Sequence, residues 1–452
     1  MIRSGHRTED SPALTDWRAD WFFYTSQAMD RPYARTASRP VAGVRTGASI
    51  VCLTFLALAT ASSGRTPNKP IEAEPRVRIQ LLRSAPRIRI QSDHQVVATG
   101  EVSDAPWSLD VSDWLIIQPA GRSNILLDDR TFPAGQVTIR PLDDAGVIRL
   151  SEFKSTGWSL PREYPGEISI SITEDGSLEA INLVGVERYV ACVVAEETLP
   201  GFEEEALRAQ AIAARTYVLD QAMRRKRARY DVSATEASQV YRGLRSDNAA
   251  VLAAAATKYS RGIVCTALHE GGPRLITAYY HAVCGGATQS ADIFGDIDPQ
   301  GPLRGGVRCN HCEIAPSETY RWGPVTLHRK EVLRRLVARY PKYASLRTIR
   351  DIVIVEKAAG GRARTIRIVG SAGKHEELLA ERFRLAIGSR KVPSAHCDIR
   401  LNGATVIFEN GRGFGHGLGM CQWGSQGQAL KGKTAAEILR FYYPGATLTR
   451  AY

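Results

Sequence analysis

The chain has 452 residues, of which 44% are hydrophobic and 23% charged, so two domains or one elaborated domain with an ordinary core are expected. Its net charge of +12 makes nucleic acid, an anionic membrane surface and another anionic polymer possible partners. The sequence has no zinc-finger spacing, basic-aromatic motif or Gly-rich phosphate loop, so we expect no nucleic-acid partner.

The N-terminal part of the chain predicts export. Residues 1–44 are polar, Arg-rich and aperiodic, which is typical of a disordered leader. Residues 45–61 contain an apolar run shorter than the roughly 20 residues of a transmembrane helix, and they end in a small-x-small cleavage site. We therefore predict a signal peptide or membrane anchor at 45–61, a linker at 62–75, and a protein of the periplasm or cell envelope that meets the membrane only through this segment.

Strand patterns dominate the next hundred residues. Apolar residues alternate from Arg76 onward, which predicts a β-rich region over 76–163. A further alternating run at 166–172 is followed by Glu174-Asp175-Gly176, which indicates a strand and a hairpin turn.

A long Ala-rich helix is predicted after the break at Pro200-Gly201, because Ala, Leu, Arg and Gln favour helices. The acidic residues 203–205 suit the positive end of its dipole. Its many small residues let other backbone approach closely, so we expect it to be buried on more than one face.

Glu197 lies just before this helix, on a predicted turn after a buried-strand remnant at Val193-Val194. A carboxyl group between an apolar segment and a chain break is partly removed from water, which raises its pKa toward the range of a general acid. The alternative from position alone is a helix-dipole or capping glutamate.

The rest of the chain predicts further helices and strands. The patterns indicate a helix at 249–259, a strand at 275–283, a helix at 376–386 and a final helix at 435–441. Between the last two helices, the segment 411–424 is rich in glycine, which indicates positive φ angles or close backbone approach.

Cysteine spacing indicates a zinc site. The chain has eight cysteines, and Cys309 and Cys312 form a C-x₂-C pair. With Cys284 and His281, or His311 in its place, they would make a closed, structural Cys₃His zinc site. A disulfide between Cys284 and one of the pair is the alternative in an exported protein, and inert thiols are a third.

Four segments together resemble the stage II sporulation protein D family, also called SpoIID/LytB. They occur in the family's order, at Val193–Tyr217, Gln239–Gly243, Ala278–Thr288 and Gly411–Gly445. The family usually shows Glu-Met-Pro where this chain has Glu197-Thr198-Leu199-Pro200, but Glu197 keeps its spacing to the Glu-Ala-Leu run that follows. Glu196 is therefore the weaker candidate. The resemblance covers roughly 164–452, and residues 76–163 only weakly.

The resemblance implies an α+β fold, in which a SpoIID-like catalytic domain at 164–452, with mixed β-structure and a central Ala-rich helix, follows the β-rich N-terminal region. It also implies a peptidoglycan lytic transglycosylase, a lyase that cleaves MurNAc–GlcNAc bonds of denuded glycan strands and forms 1,6-anhydro-MurNAc. Glu197 would be its general acid and base. The motifs then give eight candidate substrate-binding residues: Gln210, Arg215, Gln239, Tyr241, Gly415, His416, Gln422 and Trp423.

Two other functions remain open from the sequence. The chain could be a non-catalytic amidase enhancer that binds the wall or another wall hydrolase. It could also be a zinc-dependent wall hydrolase with an open metal position, although a closed cysteine-rich site argues against that.

Overall fold

The computed structural model describes residues 73–100, 103–236, 238–295, 301–358 and 360–452. The predicted leader, the export segment at 45–61 and most of the linker lie outside the described residues. Within these ranges, no helix is both long and apolar enough to cross a membrane.

Strands and helices are mixed along the chain, which confirms the α+β class. The first half contains the strands β1 (Arg76–Ala85), β2 (Ile88–Gln91), β3 (Val96–Gly100), β4 (Ser103–Leu109), β5 (Leu115–Ala120), β6 (Asn124–Leu127), β7 (Arg130–Phe132), β8 (Gln136–Pro141), β9 (Val147–Lys154), β10 (Gly157–Trp158), β11 (Arg162–Pro165), β12 (Glu167–Ile172), β13 (Leu178–Gly185) and β14 (Val232–Ser233).

These strands form two sheets that share one core. One sheet has the order β14-β1-β13-β12-β8-β3-β4, and the other has the order β10-β9-β2-β5-β6-β7, with β11 paired to β9. Their inward side chains, such as Ile79, Ile117 and Ile170, belong to one hydrophobic cluster. Because β1 pairs with β13, residues on both sides of the predicted boundary at 163/164 contribute to that cluster.

Three helices cover this core: α1 (Val186–Glu197), α2 (Glu204–Arg224) and α3 (Asn248–Tyr259). The predicted strand remnant at 193–194 is wrong, because Val186, Val190, Val193 and Val194 recur at helical spacing and are buried on one face of α1. The predicted Ala-rich helix is confirmed as α2, and its residues 209–220 are all buried.

The second half begins and ends in small sheets. It contains β15 (Ile263–His269), β16 (Gly272–Leu275), β17 (Tyr280–His281), α4 (Ser317–Tyr320) and β18 (Arg321–Trp322), and at the end of the chain β25 (Gly411–Arg412), β26 (Met420–Cys421), α7 (Gln422–Ala429), α8 (Ala435–Tyr442) and β27 (Thr447–Arg450). The predicted continuous strand at 275–283 is wrong, since β16 ends at Leu275 and the chain is irregular until β17. The Gly-rich segment leads into a helix, α7, that its composition did not predict.

Residues 325–409 form a lobe with its own hydrophobic cluster, which includes Leu336, Ile366, Phe383 and Phe408. The lobe contains β19 (Val325–His328), α5 (Arg329–Arg339), β20 (Asp351–Lys357), β21 (Ala363–Val369), β22 (His375–Leu379), α6 (Ala380–Ile387), β23 (Asp398–Asn402) and β24 (Thr405–Glu409). The helix predicted at 376–386 therefore begins at Ala380, because residues 375–379 pair with β21 as a strand.

Candidate active site

Glu197 is the last residue of α1 and continues that helix's buried face. It lies three and four residues after Val194 and Val193, so its side chain points toward the core. The residue is 6% exposed, and its Oε1 accepts a hydrogen bond from the Val240 backbone N–H at 2.9 Å. Burial raises the pKa of this carboxyl group to about 7, because removal from water disfavours the charged form. Glu197 can therefore hold a proton near neutral pH and also release it.

A chain of hydrogen bonds leads to the Tyr280 hydroxyl beside this carboxyl group. The Tyr189 hydroxyl donates to Gln239 Oε1 at 3.0 Å, and Gln239 Nε2 donates to the Tyr280 hydroxyl oxygen at 3.1 Å. The Tyr280 hydroxyl also lies close enough to Glu197 to favour the charged carboxylate, which lowers the carboxyl pKa against the effect of burial. The network surrounds the Glu197 carboxyl group with neutral hydrogen-bonding groups, so it can orient the acid while the carboxyl group stays protonated. The sequence patterns did not indicate Tyr189 as a member of this site.

The C-terminal motif reaches Glu197 through a short parallel pairing. Tyr280 pairs with Met420 and His281 with Cys421, so Gln422 follows directly after the residue paired with His281. Gln422 Nε2 donates to the backbone oxygen of Glu197 at 3.0 Å. Gly419 makes this approach possible: its φ is +72°, and a Cβ there would come within 1.9 Å of the Tyr279 carbonyl oxygen.

Glu196 has a different environment from its neighbour. Its carboxylate faces Arg242 at 3.7 Å and Arg245 at 3.5 Å, and its side chain is 7% exposed. Burial also raises the pKa of Glu196, against the opposing charges of Arg245 and Arg162. The choice of Glu197 over Glu196 as the candidate acid stays a prediction.

Glu236 is a further carboxyl group whose pKa is raised, and the sequence patterns did not indicate it. It lies in the same loop as Gln239 and Val240. Burial raises its pKa to about 7, against the opposing charge of Arg390 from the 325–409 lobe. The loop that donates to Glu197 therefore lies near the lobe. A motif search for paired acids could not find this residue, because its burial depends on a loop and a distant lobe.

Three of the predicted substrate-binding residues are corrected by the structure. Arg215 is fully buried and forms an ion pair with Glu187 at 2.5 Å. Tyr241 is fully buried and donates to Asn182 Oδ1 at 2.7 Å. Gln210 is 1% exposed within α2. The contacts of Arg215 and Tyr241 thus serve the core, whereas the buried amide atoms of Gln210 have no partner among the described residues.

The remaining predicted residues lie in the Glu197 network or in the segments that follow the Gly-rich motif. Gln239 and Gln422 take part in its network as described above. Trp423 is half-buried and packs edge-to-face on Phe202, with the ring centroids 5.3 Å apart. Gly415 and His416 belong to the Gly-rich loop, where His416 Nδ1 accepts from the Leu418 N–H at 2.9 Å. Burial lowers the pKa of His416 to about 4, so its imidazole is neutral at pH 7. Sugar contacts by these residues stay a prediction.

The structure brings Cys284, Cys309 and Cys312 together with Cys421. All four are buried, and their sulfur atoms lie within 4.8 Å of one another. The sulfur atoms of Cys284 and Cys312 are 3.4 Å apart, well beyond a disulfide bond of about 2.05 Å. We call this set the four-cysteine cluster.

The predicted fourth ligands, His281 and His311, are corrected. His281 is fully buried, but its Nδ1 hydrogen-bonds to the Leu418 carbonyl oxygen at 3.0 Å. His311 is paired with Lys431, with 3.5 Å between Nδ1 and Nζ. Cys421 takes their place because β26 pairs beside β17, a contact between distant segments that C-x₂-C spacing does not reveal.

The chemistry of the cluster fits a zinc ion. Tetrahedral zinc with four thiolates at 2.3 Å separates the sulfurs by about 3.8 Å, compatible with the observed grouping. Cys421 Sγ accepts from the N–H groups of Cys284 at 3.2 Å and Gly424 at 3.3 Å, and such donors stabilise thiolates. Gly424 is required here, since a Cβ would lie 2.8 Å from Cys309 Sγ and 2.0 Å from the Tyr442 hydroxyl.

A family model and three known proteins match parts of this chain. The family model for stage II sporulation protein matches residues 174–266, which contain Glu197 and α2. An uncharacterized protein of Brachyspira hyodysenteriae is 32% identical over 291 residues, covering 63% of this chain and 72% of that protein. Stage II sporulation protein D of Bacillus amyloliquefaciens is 26% identical over 318 residues, covering 64% and 80%. Over a shorter stretch of 67 residues, the chain is 37% identical to an amidase enhancer of Bacillus subtilis, which is 15% of this chain and 9% of that protein. The chain belongs to the SpoIID family of stage II sporulation proteins.

The raised pKa of Glu197 predicts a pH-dependent stability difference. An unfolded glutamate releases its proton near pH 4.5, while folded Glu197 holds it until about pH 7. The folded state therefore binds more protons across this window, and the free energy of unfolding falls as pH rises through it, by about 3 kcal/mol in all. The glutamine in Glu197→Gln does not titrate, so this variant does not lose that free energy of unfolding as pH rises. We expect its melting temperature to exceed that of the wild type at pH 8 and to match it near pH 4. If the difference in melting temperature between the wild type and the variant were the same at pH 4 and pH 8, the raised pKa would be contradicted.

Proposed function

We propose that this chain is a cell-wall enzyme, a peptidoglycan lytic transglycosylase with Glu197 as its single general acid and base. The observation that carries this proposal is a buried carboxyl group with a pKa of about 7, oriented by Val240, Tyr280 and Gln422. Family membership supports action on the wall, and the net charge of +12 suits an anionic wall polymer.

One carboxyl group is enough for this reaction. Protonated Glu197 gives its proton to the glycosidic oxygen between MurNAc and GlcNAc, and that bond breaks. The resulting carboxylate then takes the proton of the MurNAc C6 hydroxyl, whose oxygen closes onto C1. The 1,6-anhydro product forms without water, so no second carboxylate is needed as a nucleophile or to activate water, unlike in two-carboxylate glycosidases. Digestion of denuded strands followed by mass spectrometry tests the proposal: anhydro ends support it, and ordinary reducing ends contradict it.

The amidase-enhancer function is the second candidate. The 67-residue similarity to an amidase enhancer favours it, because that protein's name describes assistance to another enzyme. In this case the chain would bind wall or a wall amidase, and the Glu197 carboxyl would be dispensable. An open-zinc hydrolase is disfavoured, since four cysteine ligands leave no position for a reacting water.

The four-cysteine cluster is proposed to hold one structural zinc ion through Cys284, Cys309, Cys312 and Cys421. The cluster joins the segment that follows β17, the 309–312 segment and the end of β26, and Gln422 follows directly after its last member. These residues would therefore fix the segment that donates to Glu197, while the ion itself would take no part in the proposed reaction.

Export is proposed from residues 45–61. We expect fractionation of cells that express the full chain to place it in the envelope or periplasm, either cleaved near residue 61 or retained by the segment. A deletion of 45–61 is the control and should leave the protein in the cytoplasm. Uncleaved full-length protein that is soluble in the cytoplasm would contradict the proposed location and weaken a wall substrate with it.

A further inference from the structure

A basic groove lies where the 325–409 lobe meets the four-cysteine cluster. Its cavity volume is about 900 Å³, and its walls include Gly286, Arg308, Gly361, His396 and Arg412. Cys309 also lines it, so the groove lies beside the cluster and not within the Glu197 network. Neither the resemblance nor the proposed mechanism gives this groove a role.

Two guanidinium groups in the groove have no carboxylate partner among the residues that the structure describes. Arg308 and Arg412 are both exposed, and within the described ranges no carboxylate pairs with either side chain. Their backbones are nevertheless fixed: Arg308 bridges to Ala287, and the Arg412 N–H donates to the His396 carbonyl oxygen at 2.8 Å. The charges are therefore held in place at the groove and are not on free loop ends.

Further cations lie near Arg308 and Arg412. Repulsion between these positive charges favours a bound anion in the groove. Arg412 lies directly opposite Arg321 in the β18–β25 pair, and like charges at opposed strand positions repel. Fully buried Arg362 donates to the Cys284 carbonyl oxygen at 2.9 Å and to the Gly415 carbonyl oxygen at 2.8 Å. Burial, Arg362 and Arg412 together lower the pKa of His396 to about 4, which shows independently that these cations face one region.

The groove also offers a neutral acceptor or donor that is unused. His396 lines it, and its Nδ1 is buried without a hydrogen-bond partner among the described residues. Of the described lining residues, Glu313 is the one acid, and it accepts from the Tyr320 hydroxyl at 3.2 Å. A cleft dominated by one sign of charge concentrates ligands of the opposite sign.

We propose that this groove binds the free lactyl carboxylates of a denuded glycan strand through Arg308 and Arg412. The inference rests on the proposed wall function for the choice of polymer. A muramic residue without its stem peptide ends in a carboxylate, whereas a residue that keeps its peptide has an amide at that position. Arginine recognises a carboxylate through two parallel N–H···O bonds, and an amide cannot replace it. The groove thereby selects strands that an amidase-type reaction has already stripped.

Binding measurements on the full chain with Glu197→Gln, which prevents turnover, test the groove. The probes are denuded glycan strands, strands with stem peptides, and chitin oligosaccharides, which share the sugar backbone and lack carboxylates. The test variant adds Arg308→Gln and Arg412→Gln. The matched control adds Arg122→Gln and Arg140→Gln, two exposed arginines of the N-terminal sheets that carry the same charge change.

We expect the groove variant to weaken binding of denuded strands by about tenfold or more and the control by no more than about twofold. Binding of chitin oligosaccharides should be unchanged in both, and added salt should weaken wild-type binding toward that of the groove variant. Equal Kd values for the two variants overturn the inference. So does tight, arginine-dependent binding of peptide-bearing strands, which would assign the groove to stem-peptide carboxylates.

The two proposals can fail separately. Anhydro ends released by the wild-type protein, together with arginine-independent binding, would refute the groove and leave the reaction standing. Arginine-dependent binding without anhydro ends would refute the reaction and leave the groove standing as a wall-binding site.

Discussion

Glu197→Gln is expected to lower turnover of denuded glycan strands by about two to four orders of magnitude, the scale of general acid–base catalysis. Glutamine keeps the size of the side chain, and its amide oxygen can still accept from the Val240 N–H. It has no proton with a pKa near 7 to give to the glycosidic oxygen. The rate of release of soluble fragments from purified strands is the measurement.

Glu196→Gln is the matched control for this prediction. It makes the same chemical change one residue away, at a carboxylate that faces Arg242 and Arg245. Its effect on turnover should be much milder, although loss of an ion-paired group lowers stability somewhat. If Glu197→Gln turned over strands as fast as the wild type, the transglycosylase proposal would be wrong and the amidase-enhancer function would gain support.

Cys421→Ser and Cys309→Ser are each expected to remove zinc and to destabilise the protein. Ligands scattered in the unfolded chain meet only in the folded one, so binding of zinc contributes directly to the free energy of unfolding. We expect a lower melting temperature, faster proteolysis of the 285–312 segment, and activity lost in proportion to folding. Elemental analysis of purified protein and thermal melting are the measurements.

His311→Ala and Cys265→Ser separate this site from its alternatives. His311 pairs with Lys431, and Cys265 is a buried cysteine outside the cluster, so both variants should keep a full equivalent of zinc. A zinc content near zero in the wild type, with Cys284 disulfide-bonded to Cys309 or Cys312, would show that the cluster is an oxidised cross-link.

Local patterns predicted those elements whose cause is local. The Ala-rich composition predicted α2, and alternation predicted β12 and β13 with their hairpin. The sequence of α1 also contains a local helical pattern, because Val186, Val190, Val193 and Val194 recur at helical spacing. The prediction of a strand used only the last two of these residues. A two-residue apolar pair considered alone fits a strand or a helix equally well.

The site was only partly predictable because much of it depends on distant segments. Glu197 could be chosen from its motif, but its pKa depends on Val240 from a separate loop and on Tyr280 and Gln422, whose segments meet through the β17–β26 pairing. The same pairing supplies Cys421 to the cluster. Motif membership also could not separate Gln239, which contacts the site, from Arg215 and Tyr241, which are buried in the core.

The most direct test of the central claim is digestion of denuded glycan strands in ¹⁸O-labelled water, followed by mass spectrometry of the new ends. The C6 hydroxyl of the sugar, and not water, attacks C1 in the proposed reaction. We therefore predict 1,6-anhydro-muramyl ends that contain no ¹⁸O, and their loss with Glu197→Gln. Reducing ends that carry ¹⁸O, or anhydro ends that persist with Glu197→Gln, would contradict the account.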